Sequence, residues 1–226
     1  MPTIAIVGAG PGLGLSIAKV FGAQGFSVAL VARTQSKVDD LAALLAEQGV
    51  EAAGFAADIL DVGSIEAAFG RIVDRFGDVD VLEFSPAPHT PGPGTEMTDV
   101  LATTPESVQP QVDFYLYGAL RVARQVLPAM LDRGAGTLLF TTGGGSVSPV
   151  PMMGNVNAAA AALRNWILNL HPVVAERGVY AAHVAISAWI GSGPPEAEPD
   201  AIARTYWDLY EQRTEAERHY VALPPA

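Results

Sequence analysis

The chain has 226 residues, 50% hydrophobic and 16% charged, with a formal net charge of −11 and no cysteine. That length suits one large α/β domain with a full core, and the composition carries no signature of disorder. The acidic balance argues against nucleic acid or an anionic membrane as partner, and the missing cysteines exclude disulfides, thiolate metal sites and a cysteine nucleophile. No metal site is expected. A strand that begins by residue three leaves no space for a signal peptide, and no apolar run reaches bilayer length, so a cytoplasmic protein is the expectation.

In chain order, Thr3-Ile4-Ala5-Ile6-Val7 is apolar and β-prone, as a buried strand should be. Gly8-Ala9-Gly10-Pro11-Gly12-Leu13-Gly14 follows at once, and a helical period then runs over residues 12–23. Strand, glycine turn and helix together are the context a phosphate-binding turn requires. Gly8 permits the tight turn, Gly12 lets backbone approach a pyrophosphate, and Gly14 lets the helix pack close to the sheet. The helix N-terminus offers free N–H groups and partial positive charge.

Residues 26–32 read as a strand, 36–48 as a helix closed by Gly49, and 51–57 as a strand leading into Asp58-Ile59-Leu60-Asp61. A helix over 64–76 is closed by Gly77, and a strand covers 79–84. Residues 85–98, rich in Pro, Gly and Thr, form a loop at that strand's carboxyl end. Thr104 caps a helix with Pro105 in its first position, reaching Arg133 and bent at Pro110. Then come a strand (137–142), a glycine- and proline-rich loop (143–153) and an alanine-rich helix (155–176) strained at Pro172. A strand over 179–187, a loop over 191–199, a helix over 200–213 and a short strand over 220–223 complete the chain. Alternation at this spacing predicts a doubly wound parallel sheet in a single domain, with ligands outside the carboxyl ends where strand order reverses.

Over almost its whole length the chain resembles the short-chain dehydrogenase/reductase family, with its Rossmann-type fold. The spacing Gly8-x-x-x-Gly12-x-Gly14, Asp58 after the third strand, Leu127-Pro128-Ala129-Met130 and Gly136-Thr137-Leu138-Leu139-Phe140 carry the resemblance. It implies a dinucleotide cradle built from Gly8, Gly10, Gly12, Leu13 and Gly14. By position, it also assigns Arg33, Thr34, Asp58, Ile59, Ser85, Pro86, Thr142, Ile190 and Ser192 to the cofactor.

The family's catalytic positions are filled by other residues. Alignment places Tyr115 at its Asn, Gly143 at its Ser, Val156 at its Tyr and Ala160 at its Lys. Phe84-Ser85-Pro86-Ala87 replaces Asn-Asn-Ala-Gly, and Ser187-Ala188 replaces Pro-Gly. A slipped alignment hides nothing, because the only lysines are Lys19 and Lys37 and no tyrosine lies between Tyr117 and Tyr180. A free tyrosine titrates near ~10, so the family relies on lysine and cofactor charge to make it an acid at neutral pH. Tyr115 is the substitute acid the alignment brings to the site; Tyr117 is rotated by ~200° and faces elsewhere. His89, in the loop after the fourth strand, is a second candidate. Arg164 lies one turn beyond Ala160 and could bind an anion but not exchange protons. Ser146 and Ser148 lack a nucleophile-elbow context for use with His89, His171 or His183, which disfavours a serine hydrolase. Asn155 and Asn157 flank Val156 and could hydrogen-bond a substrate, and Asn155 equally suits a helix cap.

Ala32-Arg33-Thr34 ends the second strand with no carboxylate before Asp39, so NADP(H) is expected over NAD(H), with Arg33 on the 2′-phosphate. The resemblance also implies a homodimer or homotetramer through the helices over 104–133 and 155–176. The small run 158–162 and the apolar Leu163, Trp166, Ile167 and Leu170 support that surface. Function then lies between a noncatalytic NADP-binding protein and an oxidoreductase with non-standard residues. A fold that serves assembly alone is the third reading.

Overall fold

The computed structural model describes residues 1–87 and 96–223. His89 therefore lies outside the described residues. Seven strands form one parallel sheet in the order β3-β2-β1-β4-β5-β6-β7. They are β1 (Thr3–Val7), β2 (Ser27–Ala32), β3 (Ala52–Ala56), β4 (Val81–Phe84), β5 (Gly136–Gly143), β6 (Val179–Ala188) and β7 (Glu217–Ala222). Strand order reverses between β1 and β4, which places the ligand crevice above that junction. Register pairs Val7 with Val31 and with Phe84, so the segments leaving β1, β2 and β4 start at one level.

Helices cover both faces. On one side α1 (Leu13–Ala23), α2 (Gln35–Ala46) and α7 (Pro199–Gln212) close a core that includes Ile4, Ile6, Phe21, Leu30, Leu139 and Tyr206. On the other, α3 (Val62–Phe76), α5 (Gly118–Arg133) and α6 (Gly154–Ala175) close a core with Val7, Phe84, Phe140, Leu163 and Ile167. The inner strands β1, β2, β4, β5 and β6 are largely buried on both faces, which is why they read as apolar runs with little alternation. Helix ends follow local chemistry: Asp61 accepts from the Ser64 N–H to start α3, and Gly77 ends it at φ +81. At α4 (Pro105–Val112) Thr104 and Ser107 form a reciprocal cap ahead of Pro105.

Two expectations need correcting. The helix entered at Pro105 does not run unbroken to Arg133. A π-helical turn occupies Asp113–Tyr117 before α5 begins, a kind of widening that recurs at functional sites. The last strand starts at Glu217, three residues before expected, because charged side chains on β7 have partners inside the protein. The surface expected to drive assembly is also partly committed within the chain. Leu163 and Ile167 are fully buried, and Trp166 packs edge-on against Phe140 at 5.5 Å.

Candidate functional site

The glycine turn is shaped by contact. Gly8 sits at φ +98, and a Cβ there would lie 2.5 Å from Pro86 Cα, so a side chain would drive the end of β4 away. The Gly8 and Ala9 N–H groups both donate to Val31 O, at 2.9 and 3.1 Å. A Cβ on Gly14 would come within 3.0 Å of Ala9 Cα, so the first turn of α1 packs on the loop it leaves. Gly12 differs: nothing lies within 4 Å of its Cβ position, and as N-cap it carries no side-chain cap. Bare backbone with open space, at a helix N-terminus, is what a pyrophosphate needs. The residues present therefore fit a dinucleotide.

The other positions assigned to a cofactor line the same edge. Leu13 and Gly10 are half-buried beside Gly12, and Arg33 and Thr34 are exposed just past β2. Among the described residues Arg33 has no hydrogen-bond or ion-pair partner. Asp58 is held in a turn, its Oδ1 accepting from the Leu60 N–H at 3.0 Å, and Ile59 is buried against Gly118. Ser85 and Pro86 follow β4 under Gly8; Ile190 and Ser192 are exposed beyond β6. Thr142 is the inward member of the set. Its hydroxyl lies 2.8 Å from Ser146 Oγ and 2.8 Å from His183 Nε2, and only 3% of its surface is exposed.

At the aligned catalytic positions the side chains are inert. Gly143 is exposed with nothing within 4 Å of its Cβ position, Val156 is half-buried, and Ala160 is 3% exposed. Tyr115 packs against the core and edge-on to Phe114, and burial pushes its phenol further above the ordinary value. That direction makes it a weaker acid.

Three sequence readings of polar residues are corrected. Arg164 is not available to an anion: it forms a two-pronged ion pair with Glu217 of β7. Asn155 is not the N-cap of α6, a place Met153 takes, and it is closed to substrate. Fully buried, its Oδ1 accepts from the Thr98 and Val156 N–H groups and its Nδ2 donates to Glu96 O and Ser107 O. With Gly154 N donating to Thr98 O and Val100 N to Pro151 O, it fastens residues 96–107 over the start of α6. Asn157 donates to Val150 O and stands against Gly145, where a Cβ would meet its Oδ1 at 2.0 Å.

Two buried networks were not anticipated. On the α6 face Arg164, Glu217, His183, Thr142 and Ser146 form one chain, with His183 Nδ1 2.9 Å from Glu217 Oε1. Burial holds His183 below its ordinary pKa, against the opposing pull of Glu217. Arg164 holds Glu217 below the usual carboxylate range. Imidazole, hydroxyl and carboxylate are in hydrogen-bond contact here, but Thr142 and His183 are closed to substrate. On the opposite face Glu83 is fully buried in β4. Ser85 Oγ donates to it at 2.9 Å and Thr141 Oγ1 at 3.1 Å, while Thr141 Oγ1 lies 2.6 Å from Tyr206 OH. Burial pushes the Glu83 carboxyl up to about 8. A glutamate in an apolar strand was the available signal for this cluster.

A family model described as short chain dehydrogenase matches residues 2–189. A putative ketoacyl reductase of Streptomyces coelicolor is 36% identical over 143 residues, covering 62% of this chain and 52% of that protein. A very-long-chain 3-oxoacyl-CoA reductase of Pyrenophora tritici-repentis is 28% identical over 185 residues, covering 77% and 51%. The chain thus spans about half the length of these curated relatives. Among solved structures, L-sorbose reductase from Gluconobacter frateurii complexed with NADPH and L-sorbose superposes with a TM-score of 0.84. It is 20% identical, over 98% of this chain and 95% of that one. A metagenomic short-chain oxidoreductase in complex with NADP gives 0.82 at 21% identity, over 100% and 98%.

Proposed function

The chain belongs to the short-chain dehydrogenase family, and from that premise we propose that it binds NADP(H) but does not perform tyrosine-assisted carbonyl reduction. Ordinary ketones and secondary alcohols are then turned over very slowly or not at all. The observation that carries this reading is the pairing of an open glycine cradle with side chains at Gly143, Val156 and Ala160 that can neither donate nor accept a proton. Gly8, Gly10, Gly12, Leu13 and Gly14 would hold the pyrophosphate, Arg33 and Thr34 the 2′-phosphate, and Asp58 and Ile59 the adenine end. Ser85, Pro86, Thr142, Ile190 and Ser192 complete the positions assigned by alignment, Thr142 by shaping the end of β5 from below. When bound, NADPH would supply a hydride; the family's tyrosine and lysine, which would protonate the developing alkoxide, are absent. General acid–base catalysis contributes roughly 10²–10⁴-fold, and stabilisation of the forming oxyanion often as much again.

Fluorescence titration with NADPH, followed by a turnover screen, tests the reading. The names of the relatives make 3-oxoacyl thioesters the carbonyls to include. Binding with little turnover is expected. Failure to bind NADPH, or simple ketones reduced at ordinary rates of about 1–10³ per second, would refute it. A cytoplasmic homodimer or homotetramer completes the proposal. No helix among the described residues is long and apolar enough to cross a membrane.

A further inference from the structure

A second polar pair lies above the Arg164–Glu217–His183 chain, at the open end of the sheet. Ser187 Oγ, on β6, is 2.9 Å from Nε2 of His219, on β7. Register pairs His183 with Glu217 and Ala185 with His219, so these residues alternate onto the α6 face of the two strands. His183 has no exposed surface, whereas Ser187 and His219 are both half-buried. Ser187 also presses on the glycine loop: a Cβ built on Gly144 would fall 1.8 Å from its Oγ. The hydroxyl thus stands against Gly144, next to the open, exposed Gly143 that ends β5. The carboxyl ends of the strands are where a ligand enters such a sheet, and β6 is two strands, or ~10 Å, from β4 at the switch point.

We propose that Ser187 is the proton-donating hydroxyl of this site and that His219 supplies it. The proposal rests on the cradle reading and names the non-standard group that any turnover would use. An aliphatic hydroxyl alone is too weak an acid at neutral pH, but an imidazole changes charge between pH 5 and 8. The pair therefore needs no lysine. An alkoxide oxygen, formed from a carbonyl by two-electron reduction with the nicotinamide cofactor, takes the Ser187 proton. Ser187 Oγ recovers a proton from Nε2 of the His219 imidazolium, and the neutral ring is reprotonated from water. Alcohol oxidation sends the proton along the same path in reverse. Ser187 is the group that touches substrate; His219 acts through it and holds its hydroxyl in place.

The charged and titratable groups around His219 suit that task. Ser187 lies ahead of it on β6, and His183 lies deeper on the same strand. Glu217, two residues back on β7, is neutralised by Arg164 from α6. Proximity of the two rings is visible in His183, where a charge on His219 is one of the influences lowering its pKa.

The test reads the proton on His219 directly. Side-chain ¹⁵N NMR of the full chain, assigned with His219→Gln and cross-checked with Ser187→Ala, reads the His219 ring nitrogens in the NADPH and NADP⁺ complexes. A positively charged nicotinamide near the pair would disfavour imidazolium, so the His219 Nε2 signal at neutral pH should differ between the two complexes. Ser187→Ala should move the His219 Nε2 signal and leave His183 in place, which keeps the assignment secure if His219→Gln folds poorly. Where residual turnover is measurable, His219→Gln should lower kcat about 10²-fold with little change in KM. Identical His219 ring signals in two well-formed complexes would overturn the relay and leave the cradle standing. No binding of either cofactor would overturn both.

Discussion

Replacing Glu83 by glutamine should change how stability depends on pH in a way that contact loss cannot mimic. Glu83 has no exposed surface, and its carboxyl is pushed from 4.5 to about 8 by burial, against the smaller opposing effects of Ser85 and Thr141. Its folded value lies above its unfolded one. The stabilisation that comes from holding the proton is therefore complete below pH ~4.5 and is lost as pH rises through about 8. Each unit of pH between those limits costs about 1.4 kcal/mol. Glutamine keeps the shape, can hydrogen-bond both hydroxyls, and does not titrate. The stability of Glu83→Gln relative to wild type should rise by about 3 kcal/mol between pH 5 and pH 7.5. Urea unfolding, followed by the fluorescence of Trp166, Trp189 and Trp207 at several pH values, measures it. Taking the difference between the two proteins cancels the other titrating groups, Glu215 and Glu217 among them. Parallel curves for the two proteins would refute the argument, because a carboxyl that ionises normally is either hydrated or paired with a cation.

The proposed cofactor cradle and the proposed loss of the family's tyrosine acid give further expectations. Gly8→Ala places a Cβ 2.5 Å from Pro86 at φ +98, so it should cost about 2 kcal/mol or more and abolish NADPH binding, seen together in Tm and fluorescence titration. Unchanged values would mean that the loop under Gly8 is not packed as described. Arg33→Ala should weaken NADPH about 10–100-fold and leave NADH nearly untouched, since a charge-assisted hydrogen bond is worth about 1.5–3 kcal/mol. Equal wild-type Kd values for the two cofactors would remove the basis for NADP(H) preference. Val156→Tyr with Ala160→Lys should raise residual turnover about 10²-fold while neither change alone does so, at some cost in Tm because Ala160 is 3% exposed. Light scattering at micromolar concentration should show at least a dimer, although the inward packing of Leu163 and Ile167 leaves α6 less apolar surface for that role.

Regular patterns made the scaffold legible. Strands buried on both faces leave apolar runs, and glycines where the chain must turn or approach closely leave spacing. Gly8, Gly12 and Gly14 were readable because each answers a local backbone demand. The absence of the family's tyrosine–lysine pair from the α6 helix was equally readable, since the two lysines are Lys19 and Lys37 and no tyrosine lies between Tyr117 and Tyr180. The π turn at Asp113–Tyr117 left no comparable trace, because widening a helix changes hydrogen-bond partners without changing apolar periodicity. Asn155 was misread because a cap and a buried tie use the same amide groups, and only the position of residues 96–107 decides between them.

The polar residues were hardest to place because their partners lie far away in sequence. His183 and Glu217 are 34 residues apart, Arg164 and Glu217 53, Thr141 and Tyr206 65. Parallel neighbours in a sheet are joined by crossovers, so such pairs carry no short-range spacing. Their one local mark is a polar residue where burial forbids it, as with Glu83 among Val81, Leu82 and Phe84. Charge burial of this kind is costly unless the group is neutralised, paired or bonded. Each buried ionisable group here meets one of those conditions: Glu83 by keeping its proton, and His183 by its bonds to Thr142 and Glu217. Ser187 and His219 are bonded to each other yet half-buried at the carboxyl edge of the sheet, which makes them the pair in this cluster that solvent can reach.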